Sequence, residues 1–229
     1  MKYIKLFSIL ILIVSCSNKK RITEFENILG KENSETLNYL VSDFENDFLK
    51  RNYPNLDIEK AYRKFLSELE NNDTGNWKKL SKKSRKVFDN SNLKLQVYGI
   101  PDSVWIERNP DTLNLNNSVP RIKTRLKFLK QDGTYWIGRS ESSFNDLKSQ
   151  SDDSIIKIHK KYMRINYHGK YRAALKSVAN NNKFIAKYLD MTEAAGILHP
   201  PMLAYEMLND KVDFSNYFIK RLIVTEIMY

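Results

Sequence analysis

The chain predicts a mostly helical α+β fold, with helical segments flanking a small central antiparallel β-meander or hairpin. Three observations lead there. Apolar residues recur at helix spacing from Ile22 to Phe88 and again from Ile155 to Leu208, whereas between Ile122 and Ile137 they alternate with polar ones. Only seven glycines and six prolines stand among 229 residues, few for the many turns of an all-β sandwich. Hydrophobic residues make up 41 % and aromatic residues 12 %, enough to bury a core rather than stay disordered.

Taken in order, Ser34 is the predicted N-cap of a helix whose apolar face carries Leu37, Leu40, Val41, Phe44, Phe48 and Leu49. It ends before Asn52-Tyr53-Pro54, because the residue before a proline disfavours helix. Asp57 caps a second helix with Ile58, Ala61, Tyr62, Phe65, Leu66 and Leu69 on its buried stripe, and Asn71 to Asn76 break it. A third helix is predicted with Trp77, Leu80, Val87 and Phe88 on one face and cations around the rest.

Leu93 to Tyr98 fits either a strand or an extension of that helix, and Ser103 to Glu107 fits a strand, with Gly99-Ile100-Pro101-Asp102 as the turn between. Asn109 to Val119 reads as a loop. Ile122, Thr124, Leu126 and Phe128 alternate with Lys123, Arg125 and Lys127, and Asp132-Gly133 then turns the chain into Thr134 to Ile137 as a hairpin. Ser140 to Ser154 is polar and reads as a flexible crossing. Beyond it, helical spacing returns through Ile155, Tyr162, Tyr171, Leu175, Val178, Phe184, Ile185, Tyr188 and Leu189. His199-Pro200-Pro201 punctuates, Met202 to Leu208 makes a short helix, and Asp213 or Ser215 starts a last apolar segment. Residues 219–227 are rich in Ile, Leu and Val, a composition that fits strand or helix. No repeat of fixed period appears.

The first residues set a compartment. Met1-Lys2-Tyr3-Ile4-Lys5 is a positively charged start, and Leu6 to Val14 continues it as an apolar run ending at Ser15, the pattern of an export signal. That run is shorter than the roughly 20 residues a spanning helix needs. Ile13-Val14-Ser15-Cys16 resembles the lipobox of bacterial lipoproteins, which implies cleavage before Cys16 and acylation of its thiol. Cys16 is the only cysteine, so it has no intramolecular disulfide partner. The expected organisation is a signal peptide over 1–15, a lipidated tether over 16–21 that stays extended, and a single globular domain over 22–229. Within it, 22–92 is helical, 93–140 β-rich and 150–229 helical. Ser17 after the cysteine resembles the sorting signal for the outer membrane of diderm bacteria, periplasmic face. With the Ser17-Asn18-Lys19-Lys20 stretch and segments such as Asp102-Ser103-Val104-Trp105-Ile106, the chain resembles lipoproteins of Bacteroidota-like genomes that have no assigned activity.

Charge bounds the partners. The formal net charge is +11, and removing 1–15 takes away Lys2 and Lys5 and no acid, leaving 36 − 27 = +9. An envelope address argues against nucleic acid and for lipid head groups, anionic glycans or acidic envelope proteins. Lys78, Lys79, Lys82, Lys83 and Lys86, expected on one helix, are candidate contacts for an anionic surface. Lys160, Lys161, Arg164, Tyr167 and Tyr171 mix cations with rings and are a second candidate set, since such mixtures stack on and pair with anionic ligands. Both patterns are also those of a solvated helix face and of half-buried tyrosines.

No catalytic signature stands in the chain. His159, His168 and His199 lack metal-pair spacing, and no Gly-x-Ser-x-Gly elbow, phosphate-binding glycine loop or cofactor motif is present. The sequence therefore leads to a lipid-anchored, non-catalytic binding or assembly component with no metal or cofactor. The alternatives are an immunity-type inhibitor of an envelope protein and an envelope hydrolase built on His199 with Glu193 or Glu206.

Overall fold

A computed structural model describes residues 18–108 and 119–229, and within them the protein is a mostly helical α+β fold with a four-stranded antiparallel sheet. The described residues fall into two compact units. The first comprises the residues up to Lys94 together with Lys170–Tyr229, and the second lies within Leu95–Gly169.

The helical unit begins with α1 (18–29), which is followed by α2 (31–52). Gly30, at φ +88°, separates them, a left-handed backbone that glycine adopts without strain. The helix start is thus at Gly30 rather than Ser34. Ser34 is instead buried inside α2, its hydroxyl donating to the Glu26 carbonyl at 3.2 Å. Residues 18–21, expected as extended tether, are helical and belong to α1. The cause is downstream: Phe25 and Leu29 are fully buried, and their packing carries the helix back through the polar turn.

Helix α2 passes through a π-helical stretch, Phe44–Leu49, which helps bring Phe44, Phe48 and Leu49 into the core together. Helix α3 (Ile58–Glu70) starts where the sequence places it, with the Asp57 carboxylate accepting from the Lys60 amide at 2.9 Å. Its Tyr62, Phe65 and Leu66 are buried, and Phe65 lies 5.2 Å from Phe44.

The expected third helix is shorter than its pattern. Helix α4 covers only Lys82–Asp89, because the Ser81 hydroxyl caps it by accepting from the amides of Lys83 and Ser84. Trp77 leaves the helical course to stack on Phe65 at 4.9 Å and to donate its indole N–H to Glu68 at 2.6 Å. Helix α5 (Asn92–Val97) then leads into the sheet.

After the sheet, helices α7 (Lys170–Ala179), α8 (Lys183–Ala195) and α9 (Pro200–Asn209) complete most of this unit. Proline at the first position of α9 costs no hydrogen bond, since that amide would have no helical partner. The last segment is helical: α10 (217–228) runs as Tyr217–Ile223 and a π-helical end, Val224–Met228, capped by Asn216. Phe218, Ile219, Leu222, Ile223 and Val224 are buried, so the Ile/Leu/Val richness reflects burial rather than a strand.

The sheet unit has strand order β3-β2-β1-β4, built from β1 (Tyr98–Glu107), β2 (Arg121–Leu129), β3 (Tyr135–Ser143) and β4 (Arg164–Ile165). The β2–β3 hairpin is the one the alternation predicts. The Gly133 amide bonds the Lys130 carbonyl at 3.1 Å, and Gly133 takes φ +83°. Gly99-Ile100-Pro101-Asp102 is not a turn but part of β1. The ladder to β2 slips between Pro101 and Ser103, a bulge that accommodates a residue without an amide hydrogen. Likewise, Ser140 to Ser154 is not a flexible crossing. It finishes β3, makes a 3₁₀ turn at Asn145–Leu147, and enters α6 (Asp152–His159). Ile155 of α6 packs with Val104 and Ile122 as the core of this unit.

Candidate binding surface

Side chains alternate along β1, β2 and β3, and α6 lies over only one face. Val104, Ile106, Ile122, Thr124, Leu126 and Phe128 form that inner side, where burial concentrates. The opposite, open face carries Ser103, Trp105 and Glu107 on β1, Arg121, Lys123, Arg125 and Lys127 on β2, and Ile137, Arg139, Glu141 and Ser143 on β3. The register places Lys123 between Trp105 and Glu141, and Arg125 between Ser103 and Arg139.

Most of these charges are paired across strands. Lys123 reaches Glu107 at 2.7 Å, Arg121 reaches Glu141 at 3.0 Å, and Arg125 binds Asp102, the residue extruded at the bulge. Lys123 holds the Glu107 carboxyl below its ordinary range by hydrogen bond and charge. The Lys127 ammonium sits 3.8 Å from the centre of the Tyr135 ring. Arg139 is the exception: directly opposite another guanidinium, it has no acid partner among the described residues. Like charges directly opposite on a sheet are destabilising, so this position favours an added negative group. A shallow cavity of about 600 Å³ opens here, lined by Ser103, Trp105, Lys123, Arg125, Arg139 and Glu141. Trp105 is 39 % exposed on it, a large apolar surface among charges.

The residues singled out by sequence fall elsewhere, and each candidate set is brought together only in part. Lys78 and Lys79 precede α4 rather than riding on it. The Lys78 ammonium donates to the Arg51 carbonyl at 2.9 Å, and the Lys79 carbonyl accepts from Arg51. Lys82, Lys83 and Lys86 are exposed on α4, with the Lys83 ammonium 5.6 Å from the Tyr39 ring. Lys160, Lys161, Arg164 and Tyr167 are exposed around β4 in the sheet unit. Tyr171 belongs to the helical unit, where it is buried and hydrogen-bonded to Thr225 at 2.7 Å, a core tyrosine rather than a ligand contact. Cys16 lies outside the described residues, as does most of the predicted 109–119 loop.

The groups proposed for acid–base chemistry are engaged with cations. Glu193 binds Arg172 at 2.9 Å and Glu206 binds Lys187 at 2.7 Å, while His199 stands exposed at the start of α9. His159 is nearly buried beside Tyr162 and Phe144, and burial lowers its pKa. Among the described residues no three His, Cys, Asp or Glu side chains gather as a metal set, and no helix is long and apolar enough to cross a membrane.

The open face was missed by sequence reasoning, although its signal was present. The outward half of the β2 alternation is Arg121, Lys123, Arg125 and Lys127, an uninterrupted basic row. Comparison of the chain with protein-family models, curated proteins and solved structures finds no match.

Proposed function

We propose that this chain is a lipid-anchored component of a bacterial cell envelope, acylated at Cys16 and held at the outer membrane on its periplasmic side. Its role is to bind or assemble with another envelope component, and it carries no reaction of its own. The leader and the Ile13-Val14-Ser15-Cys16 junction support the anchor. The open face of the β-sheet supports the binding role: it joins a half-exposed tryptophan to a basic row. Such a surface fits recognition by exposed rings and charges.

Two measurements test the two halves. Labelled fatty acid should enter the wild-type protein and not Cys16→Ala, and the variant should leave the membrane fraction. Unchanged labelling or fractionation removes the anchor from the reading. A photo-crosslinking amino acid replacing Trp105 should yield an adduct with an envelope component, while the same group replacing Lys82 should not. Equal yields at both positions would reduce the sheet face to an ordinary solvated surface.

A further inference from the structure

Strand β3 ends the sheet, and no strand lies beyond it among the described residues. The hairpin fixes which of its backbone groups are unused. The Lys130 amide donates to the Thr134 carbonyl at 2.8 Å, and Thr124 faces Ser140 an even number of positions along the same ladder. Hydrogen-bonded pairs alternate in an antiparallel ladder, so Trp136, Gly138, Ser140 and Ser142 turn their amides and carbonyls toward β2. Tyr135, Ile137, Arg139, Glu141 and Ser143 turn theirs outward. Phe144 continues the extended course at φ −131°, ψ 125°. This edge lacks proline and carries large exposed rings, Trp136 at 47 % and Phe144 at 46 %. Natural edges usually avoid that combination, because unpaired backbone beside apolar side chains invites another strand.

We propose that β3 pairs antiparallel with β3 of a second copy, about a two-fold axis through Ser140. The charges select this register. Outward-facing residues must meet outward-facing residues, so the axis steps along the strand one residue at a time. Centred on Arg139 it sets arginine against arginine, and centred on Glu141 it sets glutamate against glutamate. Centred on Gly138 it puts Arg139 opposite Ile137. Centred on Ser140, Arg139 of each copy meets Glu141 of the other, twice, and supplies the acid that Arg139 lacks among the described residues. The reverse side agrees independently. Trp136 then stands opposite Phe144 of the second copy, also twice, covering four exposed rings. Between them Gly138 faces Ser142, and Ser140 faces itself, small residues that let the backbones approach.

This inference does not depend on the lipid anchor or on the ligand of the open face. Its test uses the full chain. Ser140 would form a non-hydrogen-bonded pair with itself, at a Cα separation of about 4.5 Å, which a disulfide spans. With Cys16 as the only native cysteine, Ser140→Cys should cross-link into a dimer under mild oxidation far more than Ser103→Cys on the open face. Arg139→Glu or Glu141→Arg in the Ser140→Cys background should each lower the yield about tenfold. Mixing those two proteins should restore it, since the heterodimer again sets opposite charges face to face. Equal cross-linking of the Ser140→Cys and Ser103→Cys proteins, or no response to the charge changes, overturns the proposal. Cross-linking of the Ser140→Cys protein to a different envelope protein instead of to itself would also overturn it.

Discussion

At the scale of single residues, the sheet unit hangs on Asn166, which is fully buried. Its side-chain amide donates to the carbonyls of Leu95 at 2.8 Å and Leu129 at 2.7 Å, and its carbonyl oxygen accepts from the His168 amide at 3.1 Å. Asn166→Ala removes this donor from the buried Leu129 carbonyl and the partly buried Leu95 carbonyl and should cost about 3 kcal/mol, read from the urea midpoint. Three residues on, a methyl group at Gly169 would stand 2.1 Å from the Gln96 carbonyl oxygen, so Gly169→Ala forces backbone apart and should cost about 2–3 kcal/mol. Glu226 acts through pH. Its carboxyl is turned into the protein near Tyr188, Thr225 and Arg172, and burial pushes its pKa from 4.5 up to about 7. Between those values the folded chain keeps a proton that the unfolded chain has lost, so stability is highest at the acid end and falls as pH rises through the window. The fall should be on the order of 2 kcal/mol from about pH 5 to about pH 8, and Glu226→Gln should flatten it. None of these three was legible in the sequence, because an asparagine, a glycine and a glutamate acquire their roles from partners far along the chain or from burial.

At the scale of elements, the local signals that proved readable were those that finish within a few residues. The Asp57 cap needs only the Lys60 amide, and Asp57→Ala should cost α3 about 1 kcal/mol, measurable as a shifted urea midpoint. The β2–β3 hairpin needs only alternation and Asp132-Gly133, and it forms as read. Misreadings arose where a distant group won. Trp77 fits a helical face, yet Glu68 and Phe65 hold it outside α4. Gly99 and Pro101 spell a turn, yet Gly99 makes room for the Phe128 ring, which lies 2.0 Å from where a Cβ would stand. The basic row of β2 was visible in sequence, but its neighbours Trp105 and Arg139 were not, since register across three strands decides which side chains share a face.

At the scale of the whole molecule, the predicted order of helical, β-rich and helical segments is the order observed, and circular dichroism should be dominated by helix. The helices up to Lys94 and those from Lys170 onward belong to one unit although the sheet unit, which keeps α6, separates them along the chain, a closure that periodicity does not reveal. Helix α1 shares in that closure: Phe25 lies 5.4 Å from Phe218 of α10, and the Tyr217 hydroxyl donates to Glu26 at 2.6 Å. Residue 18, already within α1, is two positions from Cys16, a reach of at most about 7 Å. If the thiol is acylated as proposed, the lipid is a handle rather than a leash. A pull on it is transmitted along α1 to the aromatic packing of the helical unit, with almost no slack to absorb it. A flexible insert of about 20 residues after Ser17 would let the body range about 25 Å from the bilayer. Any task that depends on closeness to the lipid surface should fade with such an insert, while one that needs only attachment should persist.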